Sequence, residues 1–126
     1  MTRLLFTTVL CALCTAHASA QNEVSQKFLE LSEDKRNTAF TLVLRESNRK
    51  CDQVIRTLFK GTFLGVDDWE ALCRDRNSYS FSVLAESDDT NDTIIMSLSC
   101  RQLLATNKML LHRAGSKSKA TGCRIK

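Results

Sequence analysis

The sequence predicts an α+β domain in which amino-terminal helices pack on a four-stranded antiparallel meander braced by disulfides. Three observations carry that expectation. The apolar pattern switches from helical spacing to alternation after Cys51, the alternating runs are joined by short polar or glycine-containing connections, and Cys51, Cys73, Cys100 and Cys123 punctuate them.

Met1-Thr2-Arg3 is a short positive segment, Leu4 to about Thr15 is an uncharged, mostly apolar run, and Ala16-His17-Ala18-Ser19-Ala20 ends in the small-x-small pattern that signal peptidase accepts. Residues 1–20 therefore read as an export signal cut after Ala20, which places the mature chain in the periplasm or outside the cell. The apolar run is shorter than the ~18–20 residues that a bilayer-crossing helix needs. Cys11 and Cys14 follow leucines, where a lipid attachment site would have a small residue.

The remainder, 21–126, is the size of one compact domain. It divides into a helical segment, 21–50, a sheet of the same domain, 51–100, and a basic carboxy-terminal helix and tail, 101–126. Val24, Phe28 and Leu31 recur at i, i+4 and i+7, the spacing of a short amphipathic helix. Ser32 is a capping residue type ahead of a second helix from about Glu33 to Asn48, with Ala39, Phe40, Val43 and Leu44 as its apolar face. Phe40, Leu42 and Leu44 also alternate as a strand would. The acids Glu33-Asp34 at the start and Arg45, Arg49 and Lys50 at the end match the helix dipole, which favours the helix.

After Cys51, Val54 to Lys60 reads as a strand, Gly61-Thr62-Phe63-Leu64-Gly65 as a turn and Asp68 to Cys73 as the partner strand. Ser78-Tyr79-Ser80-Phe81-Ser82-Val83 places Tyr79, Phe81 and Val83 on one face of a third strand. Ile94, Met96 and Leu98, alternating with Ile95, Ser97 and Ser99, give a fourth. Strands joined by short connections are usually antiparallel neighbours, hence the meander. Arg101 to about Arg113 is expected to form a last helix that closes one end of the layer through Leu103, Leu104, Leu110 and Leu111. The stretch Gly115 to Gly122 has loop composition and should be mobile unless Cys123 tethers it.

An exported chain with four cysteines is expected to form two disulfides. In a meander Cys51 opens the first strand, Cys73 closes the second and Cys100 closes the fourth, so all three lie at one end. Of the three connectivities that four cysteines allow, this placement favours Cys51–Cys73 on adjacent strands and Cys100–Cys123 pinning the tail. Zinc is disfavoured, because there is no Cys-x-x-Cys knuckle and His112 is the single histidine beyond the signal. No metal or cofactor is expected.

Charge is uneven. Residues 21–100 hold ten Lys and Arg against fourteen Asp and Glu, whereas 101–126 hold seven basic residues and no acid. The acids gather at the turns, Asp67, Asp68 and Glu70 in one and Glu86, Asp88, Asp89 and Asp92 in the other, where solvated surface is the expectation. A calcium loop is not supported, since Asp88 to Asp92 lacks the glycine and distal glutamate of an EF-hand.

These residues bound the chemistry. One histidine beyond the signal excludes mechanisms that use two imidazoles, paired cysteines remove a thiolate nucleophile, and neither a Gly-x-Ser-x-Gly elbow nor a phosphate-binding glycine loop occurs. No catalytic residue is assigned. The basic tail lacks interleaved aromatics, which argues against specific nucleic-acid binding and leaves membrane contact to the tail alone. Trp69 shares a register with Ala71 and Cys73, and is either a core residue covering a disulfide or an exposed anchor. Trp69, Lys117, Lys119 and Arg124 are the possible binding residues. The expected function is a non-catalytic periplasmic or secreted binding or inhibitor-like module for a protein partner in the envelope or outside the cell. The alternatives are a small secreted hydrolase using turn carboxylates and a cationic membrane-active protein.

Between Cys51 and Cys100 the chain places a cysteine and Val54 ahead of a strand, Thr57-x-Phe59-x-Gly61, Gly65, Trp69-x-x-x-Cys73, Asp75 at a hairpin, Tyr79, and a cysteine closing the last strand. In this it resembles a group of small exported proteobacterial proteins of unknown function. The resemblance covers about half of the mature chain and implies a periplasmic helix-plus-sheet module without an assigned reaction. The sequence departs from that pattern where Arg76-Asn77 replaces the usual hairpin glycine and in the basic tail before Cys123, whose role the resemblance does not supply.

Overall fold

Alternating apolar residues make a sheet with one face to bury, and the amphipathic helices ahead of it supply the cover. The structure, a computed structural model, describes residues 22–84 and 94–126. The segment expected to be an export signal, 1–20, and the acids of 86–92 lie outside the described residues. Two helices, α1 (Glu23–Glu30) and α2 (Glu33–Glu46), precede four strands, β1 (Val54–Phe63), β2 (Val66–Cys73), β3 (Ser78–Leu84) and β4 (Ile94–Ser99), and a third helix follows, α3 (Cys100–Arg113). The strands lie in sequence order and every neighbouring pair is antiparallel. The domain is thus the disulfide-braced α+β meander that the sequence predicts.

Helix ends follow local chemistry. The Asn22 side chain accepts a hydrogen bond from the Val24 N–H at 2.8 Å and opens α1. Ser32 sits at the start of α2, although its hydroxyl makes no capping bond. At the end of α2 the chain turns through Asn48 (φ 53°) and the Arg49 N–H donates to the Leu44 carbonyl at 2.8 Å, a Schellman closure. Ser99 and Gln102 form a reciprocal capping box that opens α3.

The core lies between α2 and one face of the sheet. Val54, Trp69, Ala71, Cys73, Tyr79, Phe81 and Val83 meet Phe40 and Leu44 there, with Phe28 and Phe59 packed alongside. Trp69 is central: its ring centroid lies 4.9 Å from Phe59, 5.4 Å from Phe40 and 6.0 Å from Phe28, and its indole N–H donates to the Ser25 hydroxyl at 3.0 Å. Such aromatic contacts add about 0.5–1.5 kcal/mol each beyond burial. Thr41 joins helix to sheet by accepting from the Val54 N–H at 2.9 Å while donating to the Asn37 carbonyl at 2.7 Å.

Three expectations are corrected. Gly61 (φ 124°) occupies an irregularity within β1 rather than a turn, so the strand runs on to Phe63 and the turn shrinks to Leu64-Gly65. The acids Asp67 and Glu70 are not solvated turn residues but fully buried members of β2. Helix α3 has no buried residue, and Leu104 and Leu110 are exposed. It meets β3 and β4 through half-buried residues, Leu103 among them, while the tail takes the ground over β2. There the Glu70 Oε2 accepts from the Arg124 and Ile125 N–H groups at 2.8 Å each, and Ile125 is buried.

Candidate functional site

The cysteines pair as the strand directions suggest. Cys51–Cys73 and Cys100–Cys123 are disulfides with Cα separations of 5.6 and 5.4 Å. The second fixes the returning tail against α3 so closely that a side chain at Gly122 would meet the Leu104 Cβ at 3.4 Å. The Asn107 side-chain amide adds a bond to the Thr121 carbonyl at 2.8 Å.

The four possible binding residues do not converge. Trp69 is 1% exposed on the helix-covered face and is a core residue. Its indole is walled in by α1 and α2 and cannot serve as an exposed anchor. Lys117, Lys119 and Arg124 belong to the tail on the opposite side of the sheet, all with exposed side chains, and Arg124 is held through its backbone alone. Lys119 does line a cavity of about 450 Å³ with Lys108, His112, Leu104, Leu111 and Ala120 between α3 and the returning chain.

The carboxylates of β2 are occupied. Asp67 lies on the helix-covered face, where it accepts from the Asn22 N–H at 2.8 Å and the Thr62 hydroxyl at 2.5 Å. Glu70 lies on the other face under the tail, with Lys60 Nζ 3.1 Å from its Oε1. Asp68 accepts from the Ser82 hydroxyl at 2.9 Å. Acids three residues apart on a strand point to opposite faces, so Asp67 and Glu70 are structural groups rather than a convergent pair.

Two hairpin turns among the described residues, expected from the sequence as turns but given no role there, carry unusual side chains. At one end of the sheet, Phe63 pairs with Val66 across Leu64 (φ 50°) and Gly65 (φ 77°). Two positive φ angles mark the type I′ turn, which favours Asn-Gly. Here a leucine takes the first position, and Phe63 and Leu64 are 73% and 82% exposed.

At the disulfide end, β2 and β3 are joined by a three-residue loop. The Arg76 N–H donates to the Cys73 carbonyl at 3.0 Å and the Cys73 N–H to the Asn77 carbonyl at 2.8 Å, with Arg76 at φ 66°. This is a tight turn followed by a left-handed residue, the position glycine ordinarily fills. Asp75 is engaged by the turn, accepting from the Asn77 N–H at 3.0 Å and its side-chain amide at 2.7 Å. Beneath it the Tyr79 hydroxyl donates to the Lys50 carbonyl at 2.7 Å. Burial pushes the Tyr79 phenol above its ordinary pKa, the Asp75 charge adds to the rise, and Arg49 opposes it. Beside the loop Arg76, Asn77, Ser78, Ser99 and Arg101 line a polar cavity of about 200 Å³. The sequence signal for this end was Arg76-Asn77 standing where the resembling pattern has glycine.

Fold and surface together define a small disulfide-braced α+β domain with two side-chain-bearing turns. Comparison of the chain with protein families, curated proteins and solved structures finds no match. Among the described residues, no helix is long and apolar enough to cross a membrane, and no group of three or more histidine, cysteine or acidic side chains is placed to hold a metal ion.

Proposed function

We propose that the mature chain is a non-catalytic, exported binding module that seats the Phe63–Leu64 hairpin tip in an apolar pocket of a protein partner in the envelope or outside the cell. One observation carries this reading. Two adjacent large apolar side chains stand in water on a turn whose backbone favours a different residue at Leu64. A turn that served only to reverse the chain would gain stability from asparagine there. Apolar anchors of this kind supply much of the energy of a protein interface when a partner desolvates them. Hydrogen bonds from the Asn22 N–H and the Thr62 hydroxyl to the buried Asp67 hold the base of the tip in advance of binding, which lowers the entropy lost on association.

The test is affinity capture from envelope extract on the immobilised, oxidised mature protein, run beside Phe63→Ser and Leu64→Asn. Each variant is expected to lose roughly tenfold or more of the captured partner. Leu64→Asn should melt no lower than the parent, which separates recognition from folding. Equal capture by parent and both variants would reject the hairpin tip as the binding surface.

A further inference from the structure

We propose a second site, at the opposite end of the sheet, that binds a tetrahedral oxyanion of the phosphate monoester type between Arg76 and Arg101. The cavity there is lined entirely by polar side chains, Arg76, Asn77, Ser78, Ser99 and Arg101, and encloses about 200 Å³. That is below the usual 300–1,000 Å³ of a drug-sized ligand site and suits a single charged headgroup. No acid lines it. Among the described residues the ion pairs are Lys27–Glu23 and Lys60–Glu70, so neither arginine at this site is in contact with a carboxylate. Asp75, the acid nearest in sequence, is turned to the Asn77 N–H and side-chain amide.

The donors suit the ligand. Two guanidinium groups present planar forks that match the oxygens of a phosphate, and the Ser78 hydroxyl can donate to a remaining oxygen. Ser99 and Arg101 also stand at the start of α3, where the helix dipole adds to an existing positive field. Arg74 and Lys126 line the adjoining cavity, which shares Arg76 and Ser78, so the surrounding field is positive as well.

The backbone agrees with this lining. Arg76 holds φ 66° at a hairpin position that glycine fills without strain. Strain of this kind concentrates where a side chain is needed for function. The arginine therefore stands against the local preference of the turn. This inference does not depend on the hairpin-tip reading, since the two sites share no residue.

The experiment titrates inorganic phosphate into the mature, oxidised protein, in buffer held at constant ionic strength with chloride, and follows backbone amide shifts by NMR. Saturable shifts centred on Asn77, Ser78, Ser99 and Arg101 are expected. Arg76→Gly should weaken binding at least roughly tenfold, while raising the melting temperature by a few degrees because the left-handed position is relieved. Arg101→Gln should weaken binding with the melting temperature unchanged. Vesicles of phosphatidic acid, with phosphatidylcholine vesicles as control, distinguish the source. Capture of the former that phosphate competes away identifies a lipid headgroup, whereas phosphate binding without capture identifies a soluble phosphomonoester, and both uphold the site. Absence of saturation by phosphate, or equal affinity in Arg76→Gly and parent, overturns it.

Discussion

The two described hairpin turns of the meander make opposite surfaces by the same device. At one end Leu64 and at the other Arg76 hold positive φ angles of 50° and 66°. At the helix ends the same backbone region is filled by Asn48 and Gly115, residue types that enter it readily. Left-handed backbone disfavours an ordinary side chain by about 1–2 kcal/mol. Where the backbone need is only to end a helix, the sequence follows it. Where the chain turns between strands, the side chain prevails, apolar at one tip and basic at the other. The two turns also differ in support: the Leu64 turn rests on hydrogen bonds to the buried Asp67, whereas the Arg76 loop is tied through Cys51–Cys73.

Removing the covalent tie has the largest expected effect. A Cys51→Ala/Cys73→Ala variant should lose about 2–4 kcal/mol of stability in urea melts. Hydrogen exchange should then accelerate at Arg74 to Ser78 much more than at Thr62 to Val66. Equal acceleration at both turns would show that the disulfide braces the whole sheet and not one end of it.

Asp67→Ala is the matching change at the other end. It removes the acceptor of the Asn22 N–H and the Thr62 hydroxyl in a fully buried position, so a loss of about 1–3 kcal/mol is expected. Exchange should quicken at Asn22 and Thr62 and stay slow at Cys73 and Asn77. A variant as stable as the parent would mean that Asp67 contributes nothing to holding α1 against the hairpin.

How much of this was legible in the sequence differs between core and surface. Tyr79, Phe81 and Val83 alternate with serines, and a period of two has one structural solution, so β3 and its buried face follow directly. The disulfide pairing follows as the favoured one of three, from strand direction and the adjacency of β1 and β2. Asp67 and Glu70 were misread as solvated because their partners are distant backbone groups, from Asn22 and from Arg124 and Ile125, which no local pattern announces. Leucines 104 and 110 were misread as core because helical spacing says that a face exists, not that anything covers it. The sequence marks both hairpins as turns but not their strained positions, because a positive φ is a property of the folded backbone. Only the missing glycine at Arg76 hinted at it.

The smallest effect separates the two turns by titration. Tyr79 belongs to the Arg76 end, where its hydroxyl donates to the Lys50 carbonyl and burial raises its pKa, with Asp75 adding and Arg49 opposing. Because the folded value is raised, the phenol ionises first in the unfolded chain. Its stabilising contribution is therefore complete below the ordinary tyrosine value of about 10 and is lost as pH climbs from there through the folded value. Tyr79→Phe should be about 1 kcal/mol less stable than the parent near neutrality, through the lost hydrogen bond. That gap should narrow as urea melts are repeated from about pH 9 to about pH 11, since phenylalanine has no proton to release. A gap that stayed constant over this range would show that the phenol ionises equally in both states, and that the Arg76 turn is not packed against it.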